Sequence, residues 1–367
     1  MRLPAALVAA VTGYAALLRP PEARLTDLSV YLGAVTAMRH GDGLYVFTRG
    51  DAPFTYPPFA ALVFLPLTFL PPLAVQIGWT LGTIATVTAL AKRASHDNTP
   101  LVALALFLSA PVASDLRFGQ VSLFLALLVL TRRGPLIGLA AAIKLTPLIF
   151  IPMLWLRGER KQAAAAALTF AACGALSAVL LPADSVRYWT DVVRDVDRLG
   201  NIASPGNQSL NGALLRLGVP DTPRAALAVT IGAVIVLLAL RQAKRQSAEK
   251  ATIITGAASV VFSPVSWTHH QVWLVLAAFL PMRHELWRWL ILAVMVLPST
   301  ALWSDARLLL AVAIIAAGTA TQDDEENAAS NAADGASKAS RRTNASASGA
   351  PTSRSIPASS HSIEIGP

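Results

Sequence analysis

The stretch GPLIGLAAAIKLTPLIFIPMLWLR, residues 134–157, decides the fold class of this chain. It carries one charged side chain, Lys144, before Arg157 closes it. Lys144 is flanked by Ala140–Ile143 on one side and Leu148–Ile151 on the other. Insertion scales put a charge at the centre of a membrane helix at roughly 2.5–3.5 kcal/mol. Such a group therefore either snorkels to the interface or lines a wet cavity and acts there.

The pattern repeats outward from this stretch. Apolar segments occur at about 3–18, 57–91, 99–111, 120–131, 134–143, 146–157, 162–182, 224–241, 251–264, 267–281, 287–302 and 306–319. The chain is 54% hydrophobic and only 14% charged, with a mean hydropathy of +0.54, whereas a soluble domain carries about 25% charged residues. This composition predicts an all-α polytopic membrane protein. No alternation of the outer-membrane barrel type is visible. Several segments fall short of the ~20 residues of a full span, which predicts kinked or re-entrant helices packed within a bundle. Pro71-Pro72 is the expected division of 57–91.

The net charge of +9 is spread over small groups: Lys92-Arg93, Arg132-Arg133, Arg157/Arg160/Lys161, Arg241/Lys244/Arg245 and Arg283/Arg288. Each flanks an apolar segment, as cytoplasmic loops do under the positive-inside rule, so the charge does not point to a nucleic-acid partner. Placing these groups inside makes Met1 cytoplasmic and the two larger loops, 19–56 and 183–223, extracytoplasmic. Lys144 and Ser266–Gln271 fall on the external side. Twelve crossings then return the C-terminus to the cytoplasm, provided that 57–91 makes one net crossing. The N-terminal apolar run reads as an uncleaved first membrane helix. Cys173 is a lone cysteine, a small packing residue. Residues 1–320 form the membrane domain. From 321 onward the sequence turns acidic and then Ala/Ser/Asn-rich, which predicts a disordered cytoplasmic tail, 321–367.

Polar residues at the ends of the apolar runs are the candidates for chemistry. Asp27 opens a helical period through Tyr31, Leu32, Val35 and Met38; it is either an N-cap, with Thr26 competing, or a general base. Tyr56-Pro57-Pro58 is a rigid helix start or an aromatic surface for a sugar or lipid. Gly119-Gln120 and Lys144-Leu145-Thr146-Pro147 lie at breaks between apolar segments, and the Lys144 ammonium could neutralise an anionic phosphate. Asn207-Gln208-Ser209-Leu210-Asn211-Gly212 suits turns and caps or hydroxyl recognition. His269-His270, next to Trp267, diverge on a helix and are poor co-ligands, so an acid–base role is preferred to a metal site.

Taken in order, Asp27 with Tyr31, Tyr56-Pro57-Pro58, Gly119-Gln120, Lys144-Leu145-Thr146-Pro147, Asn207–Gly212 and Ser266–His270 resemble glycosyltransferase family 87. That family's best-known members are actinobacterial polyprenol-phosphate-mannose-dependent α-1,2-mannosyltransferases. The resemblance covers roughly residues 20–300 and leaves the tail out. It implies a GT-C type multi-helix transmembrane bundle in a bacterial plasma membrane, with the active site on the extracytoplasmic face. Asp27 would be the catalytic base, and His269 and His270 would sit near the donor phosphate.

The reaction expected is an inverting transfer of mannose from polyprenyl phosphate mannose to a membrane glycolipid or lipoglycan acceptor. Lys144 would neutralise the phosphate, Tyr31, Tyr56 and Trp267 would stack on sugar faces, and Gln120, Asn207, Gln208 and Ser209 would read hydroxyls. The lipid phosphate leaves as a stable anion, so a strong general acid is not required. The lipid-linked sugar is a substrate, so no cofactor is expected. With no Cys pair, His-Glu-x-x-His or Asp-x-Asp run accompanying His269-His270, no metal is expected either. A polyprenyl-phosphate arabinofuranosyltransferase on the same scaffold, or a lipid or sugar transporter, are the alternatives.

Overall fold

The computed structural model of the protein describes residues 3–94, 98–282, 284–300 and 304–317. The predicted tail, 321–367, and Arg283 lie outside the described residues. Helices dominate, joined by 3-10 turns and one short hairpin in which Thr48–Arg49 pairs antiparallel with Ala52–Pro53.

Three helices, Pro72–Ala94, Arg160–Leu180 and Asp221–Ala243, are long and apolar enough to cross a membrane. A fourth candidate is broken: Thr99–Leu108 and Ala110–Phe118 meet at a 64° bend. Ser109 is extended there and Pro111 follows in the first turn of the second piece, where its missing N–H interrupts no helical bond. Outward faces of the long helices are apolar: Leu168 is 70% exposed and Val179 77%. Surface of this kind is stable against lipid and not against water. The chain is a helical membrane protein.

The apolar run 57–91 divides at Pro71-Pro72, into Pro58–Phe64 with a 3-10 continuation Leu65–Phe69, and then Pro72–Ala94. The expected twelve crossings do not translate into twelve full-length helices. The run 120–131 folds as Ser122–Leu130, about 13 Å long at 1.5 Å per residue. The run 267–281 folds as a 3-10 turn, Thr268–His270, followed by the six-residue helix Val272–Ala277. Both serve the interior. In Ala248–Phe262, which packs against Val272–Ala277, every residue from Ala251 to Val261 is buried, as expected for a central helix apolar on all sides.

Gly134 and Gly138 form a small-xxx-small stripe. A Cβ at either would meet backbone oxygens of Gln162 and Ala166, so Gly134–Ile143 lies unusually close to Arg160–Leu180. This packing fixes Lys144, the residue directly after Gly134–Ile143.

The two large loops are joined. Leu44 N donates to Asp184 Oδ1 at 2.9 Å, Arg198 donates to the Tyr45 carbonyl at 3.1 Å, and Tyr45 stacks on Tyr188. The opposite end of the bundle holds the basic loops, where Arg157 donates to the Gln246 carbonyl at 2.7 Å and pairs with Glu159 at 3.0 Å.

Candidate active site

Five elements converge on one polar network. Leu25 takes a left-handed conformation (φ 44°, ψ 54°) and turns the chain into the helix Thr26–Arg39. Leu25 is therefore the N-cap, and Asp27 falls two positions past it; no side chain caps this helix. The cap reading of Asp27 is corrected accordingly. Its carboxylate instead accepts from Gln120 Nε2 through Oδ2 and from Thr26 Oγ1 at 3.4 Å through Oδ1. Burial pushes the Asp27 carboxyl above its ordinary range, opposed by those two hydrogen bonds and by the charge of Lys144.

Gln120 reaches Asp27 because of Gly119. That glycine ends Ala110–Phe118 at φ +70°, and a Cβ there would lie 2.8 Å from Leu28 Cβ and 3.0 Å from Leu25 Cβ. Left-handed backbone and close approach both require glycine. Gln120 Oε1 then accepts from the hydroxyls of Tyr31 and Tyr56, each at 2.9 Å. The two hydroxyls are themselves 2.9 Å apart.

Lys144 completes the array from the other side. Its Nζ donates to Tyr56 Oη at 3.2 Å and lies 2.7 Å from His270 Nε2. Donors therefore run in one direction, from the Lys144 ammonium through Tyr56 and Gln120 to the Asp27 carboxylate. In surroundings of low dielectric each bond of such a chain polarises the next. Lys144 and His270 also face a cavity of about 40 Å³ whose other walls include Leu125, Val129, Pro147, Phe150, Val272 and Trp273. The His269 ring stands at 87° to that of His270, with Nδ1 3.5 Å from Ser114 Oγ and Nε2 unpartnered.

Asp27, Tyr31, Tyr56, Gln120, Lys144 and His270 are thus brought together, with His269 beside them. The tyrosine rings are not free platforms. Tyr31 and Tyr56 are 5% and 7% exposed; Tyr31 stacks on Phe64 at 5.0 Å and lies against Tyr56. Their hydroxyls enter the network, and the Tyr56 ring also lies under the Lys144 ammonium, 4.9 Å from Nζ to the ring centroid. Trp267 is half-buried, its indole beside Gly200 and Gly206.

Asn207, Gln208 and Ser209 are fully buried and hydrogen-bonded within the chain. Asn207 Oδ1 accepts from Ser266 N at 2.9 Å, Gln208 N donates to the Ser266 carbonyl at 2.8 Å, and Ser209 Oγ donates to the Pro264 carbonyl at 3.0 Å. Ser209 also caps Leu210–Arg216 through Gly212 N. Of the two readings of this motif, the structure realises turns and caps: the side chains clasp the segment that carries His269-His270.

Sequence reasoning missed Asp115, Ser114, Gln271 as a brace, and Arg307. Arg307 is 3% exposed and donates to Gln271 Oε1 at 3.2 Å, locking the same clasp. Asp115 had a signal: it is the acidic residue within the apolar stretch 99–131.

The model for glycosyltransferase family 87 matches residues 54–264. That stretch contains Tyr56, Gln120, Lys144 and Asn207–Gly212 but neither Asp27 nor the histidine pair. One similar protein is a polyprenol-phosphate-mannose-dependent alpha-(1-2)-phosphatidylinositol pentamannoside mannosyltransferase of Mycolicibacterium smegmatis, 35% identical over 318 residues, 76% of this chain and 77% of the relative. A protein of the same name from Mycobacterium tuberculosis is 32% identical over 321 residues, 77% and 74% of the two chains. A phosphatidylinositol mannoside mannosyltransferase of M. smegmatis is 33% identical over 279 residues, 64% and 63%. No solved structure matches significantly. The chain belongs to glycosyltransferase family 87, a family of membrane glycosyltransferases.

Proposed function

We propose that the protein transfers mannose from polyprenyl phosphate mannose to a phosphatidylinositol mannoside or related lipoglycan, forming an α-1,2 linkage with inversion at the extracytoplasmic face of the plasma membrane. The observation that carries the reading is the directed array from Lys144 to Asp27, one hydrogen-bonded chain with a carboxylate at one end and a cation at the other. The donor and acceptor classes come from the relatives' names.

In this mechanism the acceptor hydroxyl oxygen attacks the anomeric carbon, and Asp27 takes its proton as the new C–O bond forms. The bond from that carbon to the lipid phosphate oxygen breaks, and its electron pair leaves with the phosphate. Lys144 and His270 stabilise the second negative charge that develops there. Attack opposite the leaving group converts a β-linked donor to an α product. Gln120 holds Asp27 through its amide group, and Tyr31 and Tyr56 hold Gln120.

Sidedness is supported by the ends of two helices. Ser122–Leu130 starts beside Gln120 and leads to Arg132-Arg133, while Ala248–Phe262 starts beyond Arg245 and leads to the His269-His270 turn. The network and the basic loops are therefore at opposite ends of the bundle, and basic loops stay cytoplasmic. The GT-C type of the fold is proposed from membership of the family, and the cytoplasmic tail from the parity of twelve crossings.

The test is Asp27→Asn in purified protein with labelled polyprenyl phosphate mannose. Transfer should fall at least ~100-fold with normal membrane insertion. Substantial residual turnover, or preferential turnover of a polyprenyl-phosphate-linked arabinofuranose by the wild type, contradicts the reading.

A further inference from the structure

Asp115 has no part in the transfer described above, yet it is fully buried beside the network. Its backbone oxygen accepts from Gly119 N at 2.8 Å and from Gln120 N at 3.2 Å. Its side-chain Oδ2 accepts from Leu123 N at 3.2 Å, while Oδ1 has no hydrogen-bond partner. The helix Ser122–Leu130 begins at Val121, whose side chain offers no acceptor. Asp115 therefore supplies, from the preceding helix, the bond that a capping side chain would make. One residue grips the turn 119–123 at both ends, and the side chain held between those grips is Gln120, the amide donor to Asp27.

We infer that Asp115 is a positioning residue that sets the Gln120–Asp27 contact and thereby governs when Asp27 can accept a proton. Its link to catalysis rests on Asp27 being the base; the contact itself does not. The competing role is electrostatic, since a second carboxylate near Asp27 opposes its ionisation directly. The groups facing Asp27 are Thr26 and Tyr31 on its own helix, Tyr56 ahead of Pro58–Phe64, Asp115 and Gln120 at the helix break, and Lys144 with His270 beyond.

The two roles have opposite signs. Losing the grip deprives Asp27 of its amide donor, which favours the protonated form. Losing only a neighbouring negative charge favours the ionised form. Asp115→Asn separates them, because its amide oxygen can still accept from Leu123 N while the charge is gone.

Dicyclohexylcarbodiimide reacts with protonated buried carboxyls, and its pH-dependent labelling of Asp27 can be followed by peptide mass spectrometry on the full-length protein in detergent. Asp115→Ala should move the labelling midpoint up by about one pH unit, as should Gln120→Ala, and the double variant should move it no further. Asp115→Asn should leave the midpoint within a few tenths of a unit of wild type. A downward shift in Asp115→Asn, an unmoved or lowered midpoint in Asp115→Ala, or additive shifts in the double variant would overturn the inference. The acid limb of kcat/KM should follow the labelling midpoint. A limb that stays in place while labelling moves counts against Asp27 as base and overturns the link to catalysis, leaving the contact standing.

Discussion

Replacing Lys144 with glutamine removes the one ammonium in the network while keeping a donor of similar reach. Lys144 Nζ is fixed from two sides, by Tyr56 Oη at 3.2 Å and His270 Nε2 at 2.7 Å, and it faces the cavity between Pro147, Phe150 and Trp273. Glutamine can still donate to one of these partners, so the tertiary packing should survive. What is lost is positive charge where the leaving phosphate gains its second negative charge. At an effective dielectric constant of about 20, unit charges ~4 Å apart interact by about 4 kcal/mol. If half of the new charge has developed at the transition state, about 2 kcal/mol of that applies to kcat, roughly 30-fold. The existing charge on the donor adds a ground-state part that appears as a higher KM. Together these lower kcat/KM by more than the roughly 30-fold lost from kcat alone. The assay is initial-rate transfer in detergent at varied donor concentration, with the melting temperature measured alongside. A variant with unchanged melting temperature and unchanged kcat and donor KM would refute the phosphate role of Lys144.

Three further outcomes follow from the geometry. Gly119→Ala must accommodate a left-handed backbone, worth about 1–2 kcal/mol, and a Cβ 2.8 Å from Leu28 Cβ; transfer should fall more steeply than the melting temperature, and full activity would contradict the placing of Gln120 by this turn. Asn207→Ala leaves Ser266 N and Ser209 N without their acceptor, at about 1–3 kcal/mol for each buried group left unsatisfied, so it should lower the thermal midpoint by several degrees, and an unshifted melt would contradict the clasp. Because burial raises the Asp27 carboxyl, the base becomes available only above the ordinary carboxylate range, and kcat/KM should fall as pH drops through that raised value. Stability should run the other way: the folded state binds this proton more readily than the unfolded state, so the contribution of Asp27 worsens as pH rises from its unfolded toward its folded value. Asp27→Asn should therefore be inactive yet no less stable near neutral pH, and a variant clearly less stable than wild type would contradict the strained carboxylate.

Much of this site could be read from the order of its motifs. Charge is so rare in the apolar segments that Lys144 announced itself, and Gly119-Gln120 stood at a break that only a glycine conformation explains. The partners could not be read in the same way. Nothing in the spacing says that Gln120 would bridge Asp27 to Tyr31 and Tyr56, because that depends on how far Leu25 and Gly119 turn the backbone. Asn207–Ser209 allowed hydroxyl recognition because amides serve ligands and backbone equally well; burial decided for the backbone. Tyr31 and Tyr56 were expected to offer ring faces, but Tyr31 packs on Phe64 and Tyr56 packs on Tyr31 and Phe54, with the Lys144 ammonium over the Tyr56 ring. The short runs expected to be kinked or re-entrant include Val272–Ala277, a six-residue buried helix; periodicity cannot separate such a helix from part of a span.

The most direct measurement is a structure of the protein with a non-transferable phosphonate analogue of the lipid-linked sugar donor. The account predicts the phosphorus group within hydrogen-bond distance of Lys144 Nζ and His270, with the anomeric carbon facing Asp27 across an acceptor-sized gap. An analogue bound among Arg93, Arg132 and Glu249, at the other end of the helices, would contradict it.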